Sequence, residues 1–181
     1  MISIKLYDDI KTENLKFLGR GTQGAVYKID DEKCIKIFKK KSSCQAELHS
    51  LLISQSDSSF PKLYSYGDKY IVREYIEGTP LDEFLAENPL TDKLCHKIIK
   101  LHISMKDAGF ERLDSALFHI FIVNDGNLKL IDTAKAMKKK YSCPVIIIRG
   151  LAELNYKEQF LSFVRENYPQ IYDEWNCSID D

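Results

Sequence analysis

Long apolar runs, paired cysteines and an excess of one charge are all missing from this 181-residue chain. No segment approaches the roughly 18 uncharged apolar residues that a membrane-spanning helix needs. The N-terminal stretch MISIKLYDDIK also lacks the apolar core of a secretory leader. We therefore expect no membrane partner and a cytoplasmic location. The 26 basic and 27 acidic residues nearly cancel, so the composition does not predict nucleic acid as a partner.

The five cysteines are scattered, odd in number and without a C-x-x-C pair. This distribution favours reduced thiols over a disulfide framework or a structural zinc site. With 44% hydrophobic residues, a chain of this length can bury one core, or a core divided between two small lobes.

A glycine-rich turn is the most informative feature that the chain does contain. Gly19, Gly21 and Gly24 follow a G-x-G-x-x-G pattern within LGRGTQGAVYKI. Glycine allows positive φ and brings backbone N–H groups close to a polyphosphate. Dinucleotide-binding units share this spacing but open a helix, whereas residues 25–30 alternate as a strand does. The alternative without chemistry is an ordinary hairpin with a glycine-heavy turn.

The hydrophobic patterns predict an α+β chain, β-rich in its first part and mostly helical afterwards. Strands are predicted at residues 15–18, 25–29, 34–38, 63–66, 70–75, 121–123 and 128–131. Helices are predicted at residues 44–53, from residue 81, at 94–105 with Thr91 as N-cap, and over 151–175 with a break at Pro169. Residues 77–80 form the expected boundary between an N-terminal part, 1–77, and a C-terminal part, 78–181.

Three charged residues are candidates for chemistry. Lys36 lies in the apolar strand CIKIF, where a buried ammonium is costly unless an anion meets it. Asp132 follows an apolar strand and offers the oxygen ligand that Mg²⁺ prefers. Asp114, 18 residues earlier, can accept the proton of a hydroxyl nucleophile or orient it. The alternatives are a lysine with its amine in water and two aspartates that form turns.

Taken in order, these residues resemble the protein-kinase-like superfamily over roughly residues 14 to 135. The resemblance is closest to short bacterial serine/threonine kinase-like proteins and to the compact Rio and lipopolysaccharide-sugar kinases. It implies a bilobal fold with a β-rich N-lobe and a truncated, mostly helical C-lobe. It also implies ATP and Mg²⁺ as cofactors, bound in the cleft between the lobes.

The resemblance assigns the nucleotide-binding residues one by one. Lys36 would hold the α- and β-phosphates, with Glu47 as its helical carboxylate partner. Backbone groups of Glu74 and Ile76 would pair with the adenine edge. The turn over the phosphates would comprise Gly19, Arg20, Gly21, Thr22, Gln23, Gly24 and Val26.

The catalytic residues follow from the same resemblance. Asp132 would hold the metal, in IDTA where the family usually has D-F-G, and Asp114 would orient the hydroxyl. His119 occupies the position of the second metal ligand, an asparagine in the family, and imidazole is a poorer ligand for Mg²⁺.

Several positions depart from the family pattern. Arg112 and Leu113 replace the usual His-Arg before the catalytic aspartate, and Ala116 replaces a phosphate-contacting lysine. Arg73 stands where a medium-sized apolar side chain usually closes the back of the pocket. We expect Arg73 either to pair with a carboxylate such as Glu47 or to block part of the adenine site. No A-P-E segment follows Asp132, so we expect much of the family's peptide-docking region to be missing.

These observations predict a minimal ATP-dependent kinase that phosphorylates Ser or Thr of an unknown protein, or of itself. A pseudokinase that binds nucleotide or a protein partner without efficient transfer is the main alternative. A sugar- or antibiotic-type small-molecule kinase is a third interpretation, favoured by the missing peptide-docking region.

Overall fold

The computed structural model describes residues 14–137 and 142–175 and confirms the α+β prediction. The predicted division at residues 77–80 coincides with the start of a short strand at Gly78, although the two-part organisation stays a prediction. Within the described ranges, every helix is too short or too polar to cross a membrane.

The first part of the chain forms a five-stranded antiparallel sheet of order β1-β2-β3-β5-β4, with a helix between β3 and β4. Its elements are β1 (Lys16–Arg20), β2 (Gly24–Lys28), β3 (Lys33–Phe38), α1 (Lys41–Ile53), β4 (Leu63–Tyr66) and β5 (Tyr70–Glu74). Strands β2, β3 and β5 are rich in β-branched and aromatic residues, which favour extended backbone, and α1 packs against β3, β4 and β5.

In the second part, the described residues form a three-stranded antiparallel sheet of order β6-β7-β8 and five helices. The strands are β6 (Gly78–Pro80), β7 (Ile120–Val123) and β8 (Leu128–Leu130), with a 3₁₀ turn at Leu117–His119. The helices are α2 (Leu81–Glu87), α3 (Asp92–Asp107), α4 (Val145–Glu153), α5 (Lys157–Asn167) and α6 (Pro169–Trp175).

Local sequence explains where the main helix begins and ends. The Thr91 side chain accepts a hydrogen bond from the Leu94 N–H, which confirms the predicted N-cap of α3. Gly109 follows the helix with a φ of 81°, a conformation that glycine adopts at little cost. The predicted break at Pro169 is confirmed, because α5 ends at Asn167 and α6 begins at Pro169. A second, unpredicted break follows α4, where Asn155 takes a φ of 63°.

Two separate clusters of buried apolar side chains stabilise the chain. The smaller cluster lies between the five-stranded sheet and α1 and contains Phe38, Cys44, Leu51 and Ile71. The larger cluster joins α2 to α6 with β7 and β8, and it includes the fully buried Trp175. Phe60 belongs to the larger cluster and packs edge-to-face on Phe110 at 5.1 Å, so the α1–β4 connection is tied to it.

Four of the five cysteines lie within the described residues, and all four are free and buried. This agrees with the expectation of reduced thiols, and Cys177 lies outside the described part of the chain.

Candidate functional site

Most of the predicted site residues line one cavity of about 500 Å³. The walls come from the β1–β2 turn, β3, β5 and the loops next to β7 and β8. The predicted residues that line it are Gly19, Gly21, Thr22, Gln23, Gly24, Val26, Lys36, Asp114, His119 and Asp132. Residues far apart in sequence therefore meet in one place.

The glycine-rich turn is shaped by close packing rather than by positive φ. None of its three glycines has a positive φ. A Cβ on Gly24 would lie 2.0 Å from the Ile37 carbonyl oxygen, so only glycine fits between β2 and β3. A Cβ on Gly19 or Gly21 would meet nothing within 4 Å, which leaves the rim of the turn open toward the cavity.

Lys36 forms a buried ion pair at the centre of the cavity wall. Its Nζ donates to Glu47 Oε2 at 2.5 Å, and the Asp132 Oδ2 lies 3.9 Å away. The β3 strand places Lys36 at the cavity wall, and α1 places Glu47 next to it. The family resemblance implies this pairing of a strand lysine with a helical carboxylate. Burial raises the pKa of Glu47 above its ordinary value, and the Lys36 ammonium opposes that rise.

Asp132 is held as an anion near this pair. Burial acts to raise its pKa, but the positive Lys36 and the neighbouring His119 outweigh it and lower the pKa below the ordinary value. The Ala134 N–H donates to Asp132 Oδ1 at 3.2 Å and fixes the carboxylate. The free Oδ2 faces both Lys36 and His119, whose Nε2 lies 3.8 Å away.

His119 lies next to Asp132 with its side chain about 30% exposed. Burial lowers its pKa below the ordinary value, and Asp132 only partly restores it. The Ile131 N–H donates to the His119 carbonyl at 2.9 Å, which ties the 3₁₀ turn to the end of β8. This backbone bond explains why His119 and Asp132, thirteen positions apart, lie side by side.

Asp114 has an unexpected second role, because its carboxylate caps the start of α4. The Ile146 N–H lies 3.1 Å from Oδ1 and 3.0 Å from Oδ2, and the Ile147 N–H lies 3.2 Å from Oδ1. Burial raises the pKa of Asp114, while the N–H groups of Ile146 and Ile147 oppose the rise. The two N–H donors leave Oδ2 with acceptor capacity, since a carboxylate offers about four lone-pair sites.

The predicted adenine-binding backbone is not part of the cavity wall. The Glu74 carbonyl already accepts from Cys34 Sγ at 3.6 Å and from Arg73 Nη1 at 3.4 Å. The Glu74 carboxylate binds Lys129 Nζ at 2.6 Å, and Ile76 is buried in the core. The assignment of Glu74 and Ile76 to a base remains a prediction.

Arg73 lines the cavity, as its position in β5 predicts, but it makes no ion pair with Glu47 among the described residues. Only 5% of the residue is exposed, its Nε has no hydrogen-bond partner, and its bond to the Glu74 carbonyl is long. The expected pairing with Glu47 is therefore wrong, and the guanidinium occupies space at the back of the cavity instead.

Two contacts and one helix start around the site were not predicted. The Ser50 hydroxyl lies 2.6 Å from that of Thr133, joining α1 to the loop that carries Asp132. Phe118, 55% exposed, lies at the cavity wall next to His119. The start of α4 was missed because Val145 to Ile148 are all β-branched and do not favour a helix on their own.

Comparison with known proteins gives one weak similarity and no match to any family model. The chain is 22% identical over 136 residues to "Putative serine/threonine-protein kinase YrzF" of Bacillus subtilis (strain 168). The matched part is 72% of this chain and 63% of that relative, so the chain spans less than two thirds of the relative's length. This similarity supports a kinase-like relationship and leaves the subfamily open.

The class of chemistry follows from the donor set. A glycine turn with open backbone, a buried lysine fixed by a carboxylate, and a second carboxylate held as an anion suit a ligand with phosphates. Among the described residues, groups of three or more His, Cys, Asp or Glu suited to a metal ion are absent. A cation at Asp132 would therefore need further ligands from the phosphates themselves.

Proposed function

We propose that the chain is a kinase-like phosphotransferase that moves the γ-phosphate of ATP to a Ser or Thr hydroxyl of a protein, or of itself. The observation that carries the proposal is the cluster of Lys36, Glu47 and Asp132 beneath the glycine-rich turn. In this proposal the two apolar clusters are the cores of two lobes, divided at residues 77–80, with the cavity between them.

Lys36 is suited to hold phosphate oxygens because Glu47 fixes its ammonium at the cavity wall. Asp132 is suited to hold a divalent cation, since its carboxylate stays ionised and one oxygen faces the cavity. A divalent cation, when bound there, neutralises charge on the β- and γ-phosphates.

Asp114 would orient the attacking hydroxyl through the acceptor capacity left on Oδ2. The hydroxyl oxygen forms a bond to the γ-phosphorus while the bond from that phosphorus to the β–γ bridging oxygen breaks. ADP leaves, and the hydroxyl proton passes to the Asp114 carboxylate or to solvent. The N–H donors of α4 hold the Asp114 carboxylate in place, which suits a reaction that depends mainly on the positioning of the reacting groups.

A pseudokinase is the second candidate, and two observations favour it. Asp114 is committed to capping α4, and Arg73 occupies the back of the cavity. Such a protein would bind nucleotide or a protein partner without efficient transfer.

A titration and a transfer assay separate these functions. We expect calorimetry to show ATP binding that strengthens with a divalent cation, and intact-protein mass spectrometry to show added phosphate after incubation with the nucleotide. Asp132→Asn should abolish both the cation effect and the transfer. Asp31→Asn, at a side chain that is 97% exposed, is the matched control.

Binding without transfer, for the protein itself and for added protein substrates, would favour the pseudokinase. Absence of nucleotide binding with any divalent cation would overturn the proposal.

A further inference from the structure

The cation-binding corner of the cavity contains a nitrogen donor as well as an oxygen donor. His119 Nε2 and Asp132 Oδ2 lie 3.8 Å apart, and both side chains are about 30% exposed to the cavity. The backbone brings the two residues together, because β7 and β8 pair Ile120, next to His119, with Leu130, two positions before Asp132. The orientations of the two side chains then set the distance between the donor atoms.

One cation can contact both atoms. Metal bonds to imidazole nitrogen and to carboxylate oxygen are each about 2.0–2.2 Å long. The 3.8 Å between the two donor atoms is shorter than the sum of two such bonds, so a single ion can bridge them with a bent angle at the metal. Small adjustments of either side chain would close the angle further.

Mg²⁺ fits only half of this pair. The Asp132 carboxylate suits it, but Mg²⁺ prefers oxygen ligands in a strict octahedron and seldom takes imidazole. Divalent transition metals accept imidazole nitrogen together with carboxylate and phosphate oxygens. The presence of His119 beside Asp132 therefore favours a divalent transition metal over Mg²⁺.

The corner cannot hold a cation strongly by itself. It offers two protein donors, and the Lys36 ammonium lies 3.9 Å from Asp132 Oδ2 and repels a cation there. Phosphate oxygens must supply further ligands and draw Lys36 toward their own charge. Cation binding should therefore depend on the nucleotide.

We propose that the site selects a transition-metal nucleotide complex over the magnesium complex, with His119 as the selecting ligand, and this rests on the proposed nucleotide binding. Mn²⁺ is the cation we favour, since it combines tolerance of imidazole with the preference for carboxylate and phosphate oxygens that the remaining ligands demand.

The test uses the full chain, Mn²⁺ and a non-hydrolysable ATP analogue. Pulsed electron paramagnetic resonance should detect coupling between Mn²⁺ and an imidazole nitrogen in the wild-type complex and not in His119→Asn. His49→Asn, at an exposed histidine of α1, should keep the coupling.

Competition between Mn²⁺ and Mg²⁺ gives the second measurement. Relative to the free nucleotide, the wild-type protein should prefer Mn²⁺. Loss of a residue that only supports a metal ligand typically changes metal affinity by about tenfold or more. Because His119 would itself be a ligand, His119→Asn should reduce the preference for Mn²⁺ over Mg²⁺ by at least about tenfold.

The outcomes are distinct. Nucleotide binding with equal preference in wild type and His119→Asn, and no nitrogen coupling, would overturn this inference while leaving the phosphotransferase proposal intact. Failure to bind nucleotide with either cation would overturn both.

Discussion

The carboxylate of Asp114 accepts the backbone N–H of Ile146, which makes the candidate catalytic residue the cap of a helix 31 positions further along the chain. The N–H groups at the start of a helix otherwise lack partners, and a carboxylate there also interacts favourably with the helix dipole. The Asp114 side chain thus links the start of α4 to the wall of the cavity, which Asp114 lines.

Replacing Asp114 should separate its structural role from its chemical one. Asp114→Ala removes the side-chain acceptor of the Ile146 and Ile147 N–H groups and should lower the free energy of unfolding by about 1–2 kcal/mol. Asp114→Asn keeps an amide oxygen for capping and should cost less, because Asn and Asp are comparable caps. Urea denaturation measures both. Phosphate transfer should be strongly reduced in both variants. Equal losses of stability in Asp114→Ala and Asp114→Asn would contradict the capping role, because only Asn keeps an oxygen acceptor for the helix N–H groups.

The two kinds of glycine in the phosphate-binding turn should respond oppositely to alanine. Gly24→Ala places a methyl group against the Ile37 carbonyl and should separate β2 from β3, with a marked loss of stability. Gly21→Ala meets open space and should leave thermal unfolding nearly unchanged while weakening nucleotide binding at the rim. Equal melting temperatures for the two variants would contradict the close packing at Gly24.

The parts of the fold that could be predicted are those encoded by short-range pattern. The apolar patterns predicted β3 and β5, and the family resemblance implied the ion pair between Lys36 and Glu47. Strand β6, at Gly78–Pro80, was not predicted, because Gly, Thr and Pro have a weak combined tendency to form strands and β6 exists through pairing with β7.

Long-range contacts could not be predicted. The start of α4 depends on Asp114, and the position of the Asp132 loop depends on the hydroxyl contact between Ser50 and Thr133. Neither pair is marked by sequence spacing, since each joins residues that only the folded chain brings together. The lack of an ion pair between Arg73 and Glu47 among the described residues is likewise a result of side-chain packing.

The pH dependence of stability should contain a contribution from His102, which is buried against Trp175. The Trp175 Nε1–H donates to His102 Nε2 at 3.4 Å, and burial lowers the pKa of His102 from 6.5 to about 4. The unfolded chain therefore takes up a proton below pH 6.5, while the folded chain resists protonation until about pH 4. The His102 contribution is complete above this window and decreases as the pH falls through it.

Urea denaturation between pH 7.5 and 4.5 measures this effect. The contribution of His102 to the slope can reach about 1.4 kcal/mol per pH unit. His102→Gln should flatten the dependence, whereas His49→Gln, at an exposed position, should retain it. An unchanged slope in His102→Gln would mean that His102 is protonated to the same extent in the folded and unfolded chain.

The buried pair of Lys36 and Glu47 should be more sensitive to the loss of one partner than of both. Lys36→Met leaves Glu47, fully buried, without its cation and should cost about 3–5 kcal/mol. The double variant Lys36→Met/Glu47→Leu should recover much of that stability, because apolar side chains replace a buried pair at little cost. Nucleotide binding should be lost in both. Recovery of stability without recovery of binding separates the two roles, and no recovery of stability would contradict the pairing.

Replacing Arg73 should affect stability differently from replacing a cation that has a carboxylate partner. Its Nε has no partner and its bond to the Glu74 carbonyl spans 3.4 Å, so the buried guanidinium is poorly compensated. Arg73→Met should leave the free energy of unfolding unchanged or raise it, and it should also enlarge the back of the cavity and tighten nucleotide binding. Urea denaturation and calorimetry test the two expectations together.

Lys129→Met is the contrasting variant, because Lys129 is a partly buried cation that does have a carboxylate partner, Glu74, at 2.6 Å. Its replacement leaves that carboxylate unpaired and should lower stability. If Arg73→Met destabilised the chain more than Lys129→Met, the guanidinium would have to support the fold despite its single long hydrogen bond. Unchanged nucleotide affinity in Arg73→Met would show that the space it fills lies outside the ligand's path.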